Sequence, residues 1–214
     1  MRDTALMVLI ALVPAAACTR ESDGPTSASA PMLNRVTAAP ADAGFIESVE
    51  YRGTGCEGTA ASAFSPDRQA LTSSFSAFVA SAGAGTDPGA ATRNCLVMLR
   101  INVPPGWSYS LDSVDYLGFV SLQDGVTASR RSLYLISGSP IHTTPTAGFN
   151  GEISDDYFGP DVSLEAPGQW SPCAGGQVLW VATQAEVDNH GDDAVGGQLT
   201  VDSIDTELQW RRCL

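Results

Sequence analysis

From residue 45 onward, apolar and polar residues alternate with a period near two along much of the chain. That period belongs to half-buried β-strands. Over residues 71–79 the odd positions Leu71, Phe75, Ala77 and Val79 make one apolar face, with Thr72, Ser74 and Ser76 opposite. Over 95–103 the inward set is Val97, Leu99, Ile101 and Val103. Leu96 and Met98 make the second face of this strand apolar too, which predicts a central strand covered on both sides. Pro104-Pro105-Gly106 stops it. Strands over 113–120 and 126–136 follow, and Gln123-Asp124-Gly125 between them predicts a hairpin turn. Residues 177–187 and 197–210 make the last pair, around a polar loop at 188–193. Within 197–210 the apolar phase slips: Leu199 and Val201 are odd, whereas Ile204, Leu208 and Trp210 are even. A one-residue slip turns the buried face over, so a bulge is predicted near Asp202-Ser203. No stretch has the periodicity of an amphipathic helix. Many short strands separated by turns predict an all-β, antiparallel β-sandwich, jelly-roll or Greek-key-like.

The first 44 residues have another character. Arg2 precedes an apolar run over 5–13, which Pro14 breaks before Ala15, Ala16 and Ala17. The run is too short for a membrane span, which takes about 20 residues. Charge, short apolar run and small residues together predict a secretory signal peptide over 1–17. Ala15-Ala16-Ala17-Cys18 resembles a bacterial lipobox, with alanine at position 15 where leucine is usual. It implies lipidation of Cys18, membrane contact only through that lipid, and, with Thr19 next, an outer-membrane or cell-surface location. Ordinary cleavage would instead leave the protein periplasmic or extracellular. Residues 18–44 are rich in Ala, Ser, Thr and Pro and hold no aromatic residue. They predict a disordered tether, and residues 45–214 a single domain.

The chain holds five cysteines. Setting Cys18 aside leaves an even four, as a disulfide framework requires. Three pairings are open; Cys56–Cys95 with Cys173–Cys213 is favoured because each pair brackets two or three strands. Zinc is a poor fit, since there is no C-x-x-C pair and the histidines are two, His142 and His190. The formal net charge of -13 argues against nucleic acid, whose phosphates would be repelled.

A run of short motifs points to a family. Gly53-Thr54-Gly55-Cys56 leads to Phe64-Ser65-Pro66-Asp67, Phe75-Ser76-Ala77-Phe78 and Arg93-Asn94-Cys95. Pro105-Gly106-Trp107 and Val114-Asp115-Tyr116-Leu117-Gly118 come next, then Trp170-Ser171-Pro172-Cys173, Asp202-Ser203-Ile204-Asp205 and Trp210-Arg211-Arg212-Cys213. In order and spacing this resembles the secreted domain-of-unknown-function family 4360 of fungi and bacteria, over essentially 45–214. It departs at Glu57, where the family often has proline, and around residues 143–167. The resemblance implies a small secreted β-rich domain and carries over no activity and no catalytic residue.

The candidate chemistry is thin. Gly53-Thr54-Gly55-Cys56-Glu57-Gly58 fits G-x-G-x-x-G, but a dinucleotide site needs a helix next. Residues 59–67 read as strand and turn, so the glycines are assigned to the approach to a disulfide. Ser137 and Ser139 lie near His142 without a nucleophile elbow. Both histidines are placed in exposed loops. Asp155, Asp156 and Asp161 form one acidic cluster and Asp188, Asp192 and Asp193 another; neither has a calcium-loop spacing, and solvated loops explain both. Paired acids would also serve a polysaccharide hydrolase. Trp180 and Trp210 sit in apolar strand patterns and are assigned to the core. Trp107, Tyr109, Tyr157, Phe158 and Trp170 lie in turn-rich stretches, and Trp107, Tyr109, Tyr157 and Trp170 are the candidate ligand-binding residues, as an aromatic stacking surface.

With no catalytic or cofactor constellation, the leading expectation is a non-catalytic binding module for a glycan or envelope protein. A structural envelope lipoprotein without a discrete ligand and a polysaccharide hydrolase are the alternatives. The sequence does not set an oligomeric state.

Overall fold

A computed structural model describes residues 43–139, 142–161, 170–173 and 177–213, with backbone only at His142 and Thr143. The export signal over 1–17, Cys18 and the tether up to residue 42 lie outside the described residues. Among those described, the elements in chain order are β1 (Phe45–Arg52), β2 (Ala60–Phe64), β3 (Ala70–Phe75) and β4 (Val79–Ala82), a 3-10 turn at Pro88–Ala91, then β5 (Thr92–Asn102), β6 (Trp107–Leu122), β7 (Thr127–Ile136), β8 (His142–Thr143), β9 (Thr146–Asn150), β10 (Ile153–Pro160), β11 (Gln177–Asp188), β12 (Gly197–Thr200) and β13 (Ser203–Arg212).

They form two antiparallel sheets. Sheet I runs β1-β5-β11-β7-β8, with β9 also on β7; sheet II runs β2-β3-β13-β6-β12-β4, with β10 also on β6. The inward sets pack between the sheets: Val97, Leu99 and Ile101 of β5 and Leu179 and Val181 of β11 meet Val114, Tyr116 and Val120 of β6 and Ile204 of β13. Each of these nine residues is 2% exposed or less. This is the all-β antiparallel sandwich that the period-two pattern predicts.

Two predicted hairpins turn out to be crossovers. Gln123-Asp124-Gly125 does make a tight turn, with the Val126 N–H donating to the Gln123 carbonyl at 3.1 Å and Gly125 at φ 79°. It joins β6 of sheet II to β7 of sheet I. The 188–193 loop likewise carries the chain from β11 of sheet I to β12 of sheet II. A β-turn fixes only local chain reversal; the choice of sheet is made by non-local pairing.

The 71–79 strand is also revised. Leu71 and Phe75 face inward as expected, but the chain kinks at 76–78 and the phase slips. Phe78 and Ala80 are then buried, whereas Ala77 is exposed and Val79 half-buried. The predicted bulge near Asp202-Ser203 is present. Leu199 faces Val120 while Ser203 faces Leu117, so the chain uses one residue more than β6 over that stretch. That extra residue moves the buried face from Leu199 and Val201 to Ile204 and Leu208.

Both favoured disulfides are formed, Cys56–Cys95 and Cys173–Cys213. Gly53 to Gly58 is the turn that brings Cys56 to the start of β5. A Cβ on Gly53, at φ 122°, would stand 2.4 Å from the Asn94 carbonyl oxygen. Glycine there is a requirement of close approach, and strand β2 follows in place of the helix that a dinucleotide site needs.

Candidate functional site

Strand β7 turns Ala128, Arg130, Ser132, Tyr134 and Ile136 toward the opposing sheet, all of them buried. An arginine in a sandwich interior needs a counter-charge, and Asp161, just after β10, supplies it. The guanidinium meets the carboxylate with two prongs, at 2.9 and 2.5 Å, with the side chains 4% and 5% exposed. Arg130 also donates to Ser132 Oγ at 2.9 Å and lies 3.5 Å over the Tyr116 ring. The Tyr134 hydroxyl donates to Asp161 Oδ2, and the hydroxyls of Tyr116 and Thr183 are 2.8 Å apart. Burial pushes the Tyr116 and Tyr134 phenols above their ordinary range, so both stay neutral donors. Asp161 is therefore a correction: it is an interior ion-pair partner, enclosed and saturated with donors, and belongs to no solvated acidic loop.

The other acids stay at the surface. Asp155 and Asp156 are exposed on β10. Asp188 accepts from the His190 N–H at 2.7 Å and Asp192 from the Ala194 N–H at 2.9 Å, so these carboxylates cap turns of their own loop. Among the described residues no group of three or more His, Cys, Asp or Glu is placed to hold a metal ion. His190 is exposed in its loop; the His142 side chain lies outside the described residues.

The candidate aromatic surface does not assemble. Trp107 and Tyr109 are 4% and 0% exposed, because the start of β6 is buried on both faces. Trp107 is further covered by Arg212, 4.4 Å from its ring centre. Tyr157 is half-buried; its hydroxyl donates to the Thr200 carbonyl at 2.5 Å and its ring packs on Phe149 at 5.1 Å. Trp170 is half-buried under Arg211, 4.2 Å away. Phe158 alone of the turn-region aromatics stands open, at 72% exposed.

Trp180, assigned to the core, faces the other way. Leu179 and Val181 take the interior positions at 0% exposure each, so Trp180 points out of sheet I by alternation. Trp210 does pack against the core, with its indole N–H donating to Gln69 Oε1 at 2.5 Å.

The outer face of sheet I carries its side chains in ordered rows. Register places Met98, Trp180 and Leu135 side by side across β5, β11 and β7, then Leu96, Ala182 and Leu133, then Asn94, Gln184 and Arg131. Two apolar rows thus lie beside a polar one. The second and third rows, with Arg52, Thr144 and Thr146, line an open depression of about 800 Å³. Leu133 is 37% exposed at its floor. The side-chain amides of Asn94 and Gln184 and the Arg131 guanidinium carry no hydrogen bond within the described residues. The only signal for this surface in the sequence was the double-faced apolar pattern of 95–103.

The outer face of sheet II is acidic. Asp115 stands directly opposite Asp205, and Ser113 opposite Glu207. These residues line a smaller depression of about 340 Å³. Burial, with Asp112 and Asp115 nearby, raises the Glu207 carboxyl above its ordinary range. Leu117, 43% exposed, pairs there with Phe158.

An uncharacterized secreted protein of Arthroderma benhamiae is 33% identical over 175 residues, covering 78% of this chain and 71% of the relative. Its description agrees with the export signal. Two solved structures align with low similarity: TmCBM61 in complex with β-1,4-galactotriose, at TM-score 0.25 and 8% identity over 79% of this chain and 91% of that one, and the enzymatically active domain of bacteriophage CBA120 tailspike protein 4, at TM-score 0.21 and 13% identity over 74% and 19%. Neither is close enough to carry an argument. Residues 43–213 match the domain of unknown function DUF4360, and the chain belongs to that family.

Proposed function

We propose that the protein is an exported, non-catalytic glycan-binding module whose ligand lies across the outer face of sheet I. The observation that carries this reading is the ordered set of rows there. Sugar rings present C–H faces and hydroxyls, and the Leu96–Ala182–Leu133 floor beside unengaged Asn94 and Gln184 offers an apolar bed with free hydrogen-bonding groups. In the same reading Cys18 carries a lipid and residues 18–44 hold the module away from the membrane; the intact mass of the exported protein should then include a diacylglyceryl group on Cys18.

Leu133→Asp places a charge on the floor at a position already 37% exposed, so the fold should be retained. Affinity electrophoresis against a panel of polysaccharides should show retardation that falls by about tenfold or more in Leu133→Asp, or ~1.4 kcal/mol. Leu117→Asp, on the opposite sheet, should leave it unchanged. Equal loss in both variants, or no retardation by any polysaccharide, would count against the site.

One observation favours a second reading, a hydrolase: the opposed Asp115 and Asp205 beside a Glu207 carboxyl held above its ordinary range. Release of reducing ends from the same polysaccharides, abolished by Glu207→Gln, would select it.

A further inference from the structure

We infer that the glycan taken by sheet I is acidic, a polysaccharide bearing carboxylates along its length. The inference rests on the glycan-binding reading above and adds the ligand's charge. In a chain of net charge -13, with 24 acidic residues among 214, the lining of the main depression holds Arg52 and Arg131 and no aspartate or glutamate. Glu50, Glu186 and Asp188 stand on the same face outside that lining; within the lining itself the charged groups are cations alone.

The arginines are available. The Arg131 guanidinium has no hydrogen-bond or ion-pair partner among the described residues, and neither has that of Arg100, which continues the same face along β5. Arg52 has only an exposed contact with Glu50 at 3.4 Å, a pairing worth little in water. Glu186, one row beyond Gln184 on β11, borders the depression without lining it. All 11 basic residues of the chain are arginines. Guanidinium is planar and meets a carboxylate with two parallel hydrogen bonds, a match that an ammonium does not make.

Spacing makes the ligand a polymer. Arg52 is on β1 and Arg131 on β7, three strands apart in the order β1-β5-β11-β7. At the usual strand separation that is roughly 14 Å, beyond the reach of one small anion and within reach of a chain with repeated charges. The acidic outer face of sheet II does not cancel this field, because the Debye length at physiological salt is about 8 Å and the two sheets alone stand about 10 Å apart.

The test uses the exported full-length protein and three probes: polygalacturonate, its fully methyl-esterified form and dextran sulfate. Polygalacturonate should bind roughly tenfold or more tightly than the ester, with affinity falling as salt rises. Arg131→Gln should remove that preference, and Arg131→Lys should restore only part of it. Equal binding of acid and ester, still sensitive to Leu133→Asp, would overturn the charge assignment and leave the glycan face standing. Dextran sulfate binding as tightly as polygalacturonate would overturn the carboxylate assignment in favour of charge density. Failure of all three probes together with every neutral polysaccharide would overturn both readings.

Discussion

Replacing Asp161 by alanine is expected to cost the domain about 3–5 kcal/mol, the usual consequence of leaving one member of a buried ion pair uncompensated. Arg130 sits on β7 of sheet I and Asp161 follows β10 of sheet II. The pair therefore bridges the two layers, and its loss strands a guanidinium among Tyr116, Tyr134 and Ser132. The Asp161 backbone is held independently, through its N–H to the Val114 carbonyl at 2.9 Å, so the chain cannot simply swing the defect into water. Urea denaturation of the single variant should show the full loss. The double variant Arg130→Met with Asp161→Leu should recover most of it, since apolar replacement of both charges removes the desolvation cost along with the attraction. A single-variant loss below about 1 kcal/mol would mean that the pair behaves as a surface salt bridge.

The same strand explains what the sequence discloses and what it conceals. Alternation alone places Val97, Leu99 and Ile101 inside, because β5 lies between β1 and β11 and its inward residues belong to the apolar core. It does not place Arg130. Arg130 and Arg131 are adjacent on one strand, so one of them has to face the other sheet, but only the presence of Asp161 decides that it can stay there charged. Trp180 misleads for a related reason. In a central strand both faces carry apolar residues, and a tryptophan between Leu179 and Val181 reads as core until the strand's phase is fixed by the residues around it. Trp107 and Tyr109 mislead in the opposite sense: the Pro104-Pro105-Gly106 turn suggests an exposed loop, whereas β6 begins at Trp107, within the core. The turn at Gln123-Asp124-Gly125 was legible as a turn, and its destination was not. The depression on sheet I depends on register across four strands, which is information no single segment contains.

The second large effect separates the two disulfides. Their sequence separations are 39 and 40 residues, so chain entropy alone gives each about 4 kcal/mol and no difference between them. Their surroundings differ. Cys56 and Cys95 are 1% and 2% exposed within the core, and the Gly53 turn is tied to β5 by the Gly55 N–H to the Asn94 carbonyl at 2.9 Å. Cys173 is exposed and Cys213 half-buried beyond the end of β13. Removing the first bond as Cys56→Ala with Cys95→Ala deletes buried sulfur and should exceed the entropic loss by roughly 1 kcal/mol. Removing the second as Cys173→Ala with Cys213→Ala should cost less than the entropic figure, because β13 remains paired along β6 from Ser203 to Arg212. The first bond also fixes the edge of the depression, since Arg52, Gly53, Asn94 and Cys95 all line it. Its loss should therefore weaken polysaccharide binding under conditions where the variant remains folded, whereas loss of the second should leave binding intact. Equal destabilisation of the two double variants, with binding unaffected in both, would reduce the disulfides to interchangeable staples and separate the depression from the Cys56 turn.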